Sequence, residues 1–339
     1  VSWQDRAMLP VGLRISRRRA LTAATAALVA FGLLAWWLLP FGRTSPSGEL
    51  TFSTGSRSGV YQRYGVLLEE ALAKDMPDVE IDLITSEGSQ QNLARVASGE
   101  ADFTIATADA VATYKRDGLP GADRLRGCAR LYDDYVHLIV PQKSPVSSVR
   151  DLRGKVVGVG QQGSGVRLVA DRLMTAAGLD PQQDITPVPA GIDTMPGRLE
   201  NGSLDAFFWS GGLPTNTVQE LSERFDIRLV PLEAEVVDKL HATGDSTSYY
   251  RSAVMPADAY LQAQGGTPVS TIAVANLLVT TDRTDPAMTE GFTRTVIDSR
   301  DHIGNTVHPA QLVDLRTAVY TAPLPLHDGA RRYYRSAKP

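Results

Sequence analysis

From position 49 onward, apolar residues recur at a period of two over short runs and near 3.6 over longer ones, and the two alternate. Residues 49–54, 79–85 and 101–106 carry the strand pattern. Residues 60–74, with Leu67, Leu68, Ala71 and Leu72 on one face, and residues 90–97 carry the helical one. Small polar loops at 55–59, 86–89 and 107–109 separate them, with Ser89 placed to cap the second helix and Gly99 to end it. Strand, small loop and helix in repetition predict a parallel sheet with helices on both faces. Its loops then share the edge where open sheets of this kind bind ligands.

Residues 126–141 form a long, largely apolar strand that reads as a crossing into a second domain. There the pattern starts again. Val156, Val157 and Val159 make a buried strand, glycines break it, and Val166, Val169, Ala170, Leu173 and Met174 mark one face of a helix. A strand at 185–188, a helix at 195–199, and strands at 204–209 and 225–230 follow, while 244–250 has no clear period. The strand at 271–281 returns the chain to the first domain, and helices at 286–298 and 309–320 complete it. The run Ser98-Gly99-Glu100-Ala101-Asp102-Phe103 is echoed by Asn201-Gly202-Ser203-Leu204-Asp205-Ala206. The expected division is lobe I at 49–141 and 270–339 and lobe II at 142–269, with the two loop edges face to face.

The first part of the chain has a different character. Arg14, Arg17, Arg18 and Arg19 precede an uncharged, mostly apolar run at 20–39, about the length that spans a bilayer. The basic flank holds segment 1–19 in the cytoplasm and sends the rest outward. Trp36 and Trp37 sit near the outer end, and neither a small-residue cleavage pattern nor a cysteine follows. The run is therefore expected to be an uncleaved transmembrane signal anchor, with 40–48 a linker.

Composition narrows the function. In 339 residues, 43% hydrophobic and 21% charged, there is room for about two folded domains. A net charge of −4 makes no electrostatic case for nucleic acid, and the lone Cys128 excludes an internal disulfide. Gly158 to Gly163 spells G-x-G-x-x-G, but in the middle of the chain. Asp180 and Asp184 precede the next strand instead of ending it, so the acidic partner of a dinucleotide site is missing. Ser164 and Ser210 both miss the G-x-S-x-G pattern, no H-E-x-x-H or paired-cysteine spacing occurs, and the five histidines are scattered. With no nucleophile beside a base, binding is favoured over catalysis, and neither a cofactor nor a metal is expected. The glycine-rich loop instead brings unpaired N–H groups and a helix dipole to one place, which suits an anion in a solute-binding cleft.

Six segments together resemble the TAXI family, the extracytoplasmic solute receptors of TRAP-type transporters. They are LTFSTGSRSGVY (50–61), TSEGSQQN (85–92), ASGEADFTIATAD (97–109), VGVGQQGSGVR (157–167), DAFFWSGGLP (205–214) and LHDGARRYY (326–334). The resemblance implies a two-lobed α/β fold of the type II periplasmic-binding-protein kind, each lobe a central, mostly parallel sheet flanked by helices. It also implies a small carboxylate or amino-acid ligand, such as glutamate, glutamine or 2-oxoglutarate, and a TRAP-type membrane permease as partner. Family members more usually carry a cleavable or lipoprotein signal, so tethering through an N-terminal helix is a departure.

Carried onto this sequence, Gly163, Ser164, Gly165 and Val166 would present N–H groups to the ligand carboxylate. Gly55, Ser56 and Tyr61 would line the opposite lobe, and Ser89, Asn92 and Asp109 would fix the remainder. Asp109 either accepts a ligand ammonium or caps its helix, and Trp209 either covers the ligand or belongs to the core. Arg57 and Arg167 are candidate counter-charges. The expectation is a solute receptor on the outer side of a cell membrane, anchored by a single pass. A membrane-tethered ligand sensor or an exported enzyme on the same fold is the alternative.

Overall fold

A computed structural model describes residues 46–337 and, before them, Thr22, Thr25, Ala26 and 28–32, all helical. Val1–Ser45 and Pro46–Pro339 form separate units. The basic segment 1–19, most of the expected membrane run 20–39 and most of the linker 40–48 lie outside the described residues. Among the described residues no helix is long and apolar enough to cross a membrane.

The first part of the larger unit follows the strand–loop–helix rule. Gly48–Ser53 (β1) leads to Val60–Asp75 (α1), Val79–Ile84 (β2), Ser89–Ser98 (α2), Phe103–Thr107 (β3) and Ala108–Arg116 (α3). β1 pairs in parallel with β2 and β3, and α1 buries Leu68, Ala71 and Leu72 as its apolar stripe requires. Leu125–Pro141 (β4) then runs for 17 residues. Val156–Gly158 (β5), Gly165–Ala176 (α4), Thr186–Val188 (β6), Met195–Glu200 (α5), Ala206–Gly211 (β7), Asn216–Arg224 (α6) and Ile227–Leu229 (β8) make the second set. Ala234–His241 (α7), Tyr250–Met255 (β9), Leu261–Gln264 (α8) and Val269–Thr281 (β10) bring the chain back. Pro286–Asp298 (α9), Arg300–Gly304 (α10), Leu315–Ala318 (α11) and Asp328–Ser336 (α12) end it.

All ten strands join one sheet, in the order β2-β1-β3-β10-β4-β7-β5-β6, with β8 also on β4 and β9 also on β10. The expectation of mostly parallel sheets needs correction. β10 is antiparallel to β3, β4 and β9, and β4 is antiparallel to β7 and β8. The reason is directional: β4 carries the chain out through the middle of the sheet and β10 carries it back, so they must oppose. β4 also changes cores along its length. Leu131 and Tyr132 pack with Phe52, Phe103 and Phe292, while Val136 to Val140 pack with Val157, Leu173, Phe207 and Phe208.

The echoed sequence runs have one structural role. Gly99 and Gly202 take φ of +88° and +76°, turning the chain out of the preceding helix. The aspartate that follows then clamps the start of the pairing with a neighbouring parallel strand. Asp102 Oδ2 accepts the Thr51 N–H (2.8 Å), and Asp205 Oδ2 accepts the Val156 N–H (2.8 Å). In each case the aspartate's own N–H donates to the carbonyl of that same residue, at 2.8 Å.

Two local expectations fail, and one segment without a clear period gains its structure, for identifiable reasons. Ser89 is the first residue of α2, not its cap; Gly88 holds the cap position without a side-chain bond. The segment 244–250 holds a 3-10 turn at Asp245–Thr247 and the start of β9. β9 pairs only with β10 and exposes Arg251, Ser252 and Val254, so no clean alternation marks it. The expected helix at 309–320 breaks in two, because Asp314 accepts the Arg316 N–H (2.8 Å) and starts α11 afresh.

Candidate functional site

A cavity of about 60 Å³ lies where the loops after β1, β2, β3, β5, β6 and β7 meet. The N-termini of α1 and α4 both border it. Gly59 precedes α1 without any side-chain cap, and Ser164 caps α4 by accepting the Arg167 N–H (3.0 Å). The N–H groups of Val60, Tyr61, Gly165 and Val166, all cavity-lining residues, have no acceptor among the described residues. Gly160 closes the turn before α4 at φ +81°. A Cβ there would meet Val166 Cβ at 2.7 Å, so the turn can hold only glycine. Gly158 is required by packing instead, since a Cβ would press on Met195 and Phe207.

Of the residues expected from sequence, the structure brings Gly55, Ser56, Tyr61 and Ser89 to the cavity from one side. Ser164, Gly165, Val166 and Trp209 come from the other. Trp209 donates its indole N–H to Thr215 Oγ1 (3.1 Å) and folds over Gly211, where a Cβ would come within 2.5 Å of Nε1. Its ring is therefore cavity wall and core at once.

Three expected residues do not line it. Asn92 is fully buried behind the loops, donating to the Thr54 and Ile105 carbonyls (2.7 and 2.9 Å). Asp109, in the first turn of α3, accepts from Arg172 (3.1 Å) and from the Tyr250 hydroxyl (2.6 Å). Gly163, at φ +85°, offers its carbonyl to the Gln90 and Gln91 N–H groups (3.0 and 3.1 Å) and so caps α2 across the cleft. The two candidate counter-charges also lie elsewhere. Arg57 is exposed, and Arg167 pairs with Asp171 along α4 (2.8 Å).

Sequence reasoning missed Thr107, Asp134 and Ser210. Asp134 is the chemically distinctive one. It is only 3% exposed, on β4, and Oδ1 accepts the Asn276 Nδ2–H (2.6 Å), while Asn276 Oδ1 accepts the Tyr61 hydroxyl proton. β4 bulges at this point: Asp133 faces Ala275 and Arg130 faces Leu277, so two β4 residues oppose Asn276 alone. Burial, reinforced by Asp133 and Asp109, pushes the Asp134 carboxyl up to about 7, against the hydrogen bond from Asn276. The Ser210 hydroxyl is buried without a hydrogen bond of normal geometry, although it lies near enough to Asp134 to favour the ionised form. The signal was present in the sequence as Asp133-Asp134, two consecutive charges inside a strand otherwise apolar enough to be fully buried. Among the described residues, no arginine, lysine or histidine lines the cavity.

The mixed α/β architecture, with loops gathered around one cavity, is shared with solved structures. A putative L-cystine ABC transporter protein of Listeria monocytogenes superposes with a TM-score of 0.50 at 13% identity, over 78% of this chain and 98% of that one. A Bordetella bronchiseptica RB50 protein gives 0.50 at 16%, over 86% and 90%. The periplasmic aliphatic sulphonate binding protein SsuA of Escherichia coli gives 0.44 at 17%, over 87% and 84%. At such identities the first two likenesses establish a shared fold. The chain itself belongs to the NMT1-like family, which it matches over residues 52–337.

Proposed function

We propose that this chain is an extracytoplasmic solute receptor that closes two lobes, 49–141 with 270–339 and 142–269, over a small carboxylate-bearing solute. It hands that solute to a TRAP-type permease, held at the membrane through the N-terminal apolar run. The observation that carries the reading is the pairing of two helix starts around one cavity that no described basic side chain lines: α1 has no side-chain cap, and Ser164 caps α4 only at the Arg167 N–H, leaving those of Gly165 and Val166 free. Backbone N–H groups and helix dipoles hold a carboxylate in such a place. Five of the six segments that resemble the TAXI family contribute cavity residues. The sixth serves packing: Gly329 lets α12 approach the α9 backbone, and the Tyr334 hydroxyl donates to the Cys128 carbonyl (3.1 Å). Among the described residues no hydroxyl lining the cavity makes a hydrogen bond of normal geometry to a carboxylate or histidine, Ser210 beside Asp134 included, which supports binding over catalysis.

Gly165→Pro tests this. Proline is tolerated at the first helical position, and Ser164 already holds the extended ψ of 158° that a following proline demands. The change removes one cavity N–H and keeps the helix start, with the Ser89 hydroxyl, 3.1 Å from the added Cβ, turning slightly aside. In a thermal-shift panel of amino acids and small carboxylates, the natural chain should be stabilised by roughly 2.7 kcal/mol at a hundredfold excess over Kd. Gly165→Pro should lose most of that shift while keeping its own melting temperature. A variant that retains the full shift would move the carboxylate site away from α4.

A further inference from the structure

Three aspartates are buried within electrostatic reach of one another, and their surroundings differ. Asp133 is answered by Arg130 (2.5 Å) and Arg251. Asp109 is answered by Arg172 (3.1 Å). Asp134 has no cation among the described residues; its neighbours are Asn276, Ser210 and the other two carboxylates. Oδ2 accepts no hydrogen bond of normal geometry from any described residue, with only the Ser210 hydroxyl close by, and Asp134 is the one of the three that lines the cavity. A carboxylate taken out of water without a partner costs several kcal/mol, so such a group either stays protonated or has its charge answered from outside the chain.

We infer that Asp134 receives the ammonium of a bound zwitterion, so that the solute is a small α-amino acid with an uncharged side chain and not a dicarboxylate. This rests on the cavity being the solute site proposed above. The solute carboxylate then lies between the starts of α1 and α4, while Ser210 lines the same cavity with its buried hydroxyl beside Asp134. A second carboxylate would meet Asp134 or Glu87 and no positive side chain. The chain from Tyr61 through Asn276 fixes which oxygen of Asp134 is engaged, leaving the other free for the ligand.

The test is calorimetric titration of the full chain and of Asp134→Asn and Gly165→Pro. The probes are neutral α-amino acids, their 2-oxo and 2-hydroxy acid counterparts, glutarate and 2-oxoglutarate. Amino acids should bind, the deaminated acids should bind about a hundredfold more weakly, and Asp134→Asn should cost the amino acids a similar factor. Asp134→Asn removes a buried charge and keeps an oxygen for Asn276, so it should fold. Affinity for amino acids should rise from about pH 6 to about pH 8 as Asp134 ionises, and that rise should vanish in Asp134→Asn. Asp133 and Asp109 stay tied to their arginines, and burial holds the Tyr61 and Tyr132 hydroxyls protonated throughout that range. Dicarboxylates binding best, or affinity falling as pH rises because a protonated Asp134 donates to the ligand, overturns the inference while sparing the receptor reading. If no probe binds and Gly165→Pro changes nothing, both fall.

Discussion

At Asn92 every side-chain hydrogen-bonding position is used. Nδ2 donates to the Thr54 and Ile105 carbonyls, and Oδ1 accepts from the Ser53 and Ser86 hydroxyls (both 2.7 Å). The residue therefore holds three loop-bearing segments in place from behind and never meets solute. Asn92→Ala takes the acceptor from the Ser53 hydroxyl and one donor from each of two buried carbonyls, although the Ser86 hydroxyl still reaches the Thr54 carbonyl (3.1 Å), and it should lower stability by about 2 kcal/mol in a urea titration. Solute affinity of the folded fraction should stay within a few-fold of the natural chain. A large affinity loss at unchanged stability would instead make Asn92 a ligand contact. Sequence places Asn92 in the first turn of the helix at 90–97, and that placement holds, while the expected contact with solute does not. Which of two polar neighbours faces the cavity depends on the helix phase of α2, set when Gly163 caps it from another segment.

At the scale of elements, the clamps at Asp102 and Asp205 explain why two runs of sequence echo each other. Each fixes the first hydrogen bond of a parallel strand with a charged acceptor, setting strand register where a one-residue slip would turn every side chain over. Asp102→Ala should destabilise more than Asp205→Ala, by about 2 against about 1 kcal/mol. The Thr51 N–H is part-buried, whereas the site at Val156 is exposed and water can replace the lost acceptor. The double variant should be additive in chemical denaturation, because the clamps lie in different packing clusters. Nine of the ten strands and the helices α1, α2, α4, α5 and α9 were legible within one or two residues, because their apolar periods face cores that repay regular spacing, whereas α6, α7, α8, α10 and α12 were not assigned. β9 was not, since an edge strand with a solvated face carries little pattern. The break at Asp314 was not, since a cap inside an apolar run is silent until the helix on either side is known.

Across the whole molecule, several contacts span the cavity. Gln90 Nε2 donates to the Ser164 carbonyl (2.7 Å), Gly163 caps α2, and the Ser58 N–H donates to Asp193 (3.1 Å). Arg172 of α4 reaches Asp109 and Thr113 of α3 and the Tyr250 hydroxyl on β9. On the two-lobed reading these are contacts of a closed state, and Arg172 is the largest of them. Arg172→Ala should shift the balance toward an open form by about 1–3 kcal/mol. The expected outcome is a radius of gyration from X-ray scattering that contracts only at higher solute concentration, with apparent affinity about tenfold weaker. Unchanged scattering and affinity would make the cluster ordinary packing within one rigid body.

The sequence by itself determined the order of elements, the glycine-rich loops and the edge on which they gather. Each of these follows from period, turn chemistry and neighbours a few residues apart. It also held the exclusion of a dinucleotide site, because the missing acidic partner is a matter of spacing along the chain. Tertiary structure decided the antiparallel crossing of β4 and β10 and the bulge opposite Asn276. It also decided which of Asp109, Asp133 and Asp134 was left without an arginine. Those arginines stand at 130, 172 and 251, far apart in sequence, and only folding settles which carboxylate each one reaches. The charge of the cavity floor was fixed by that distribution.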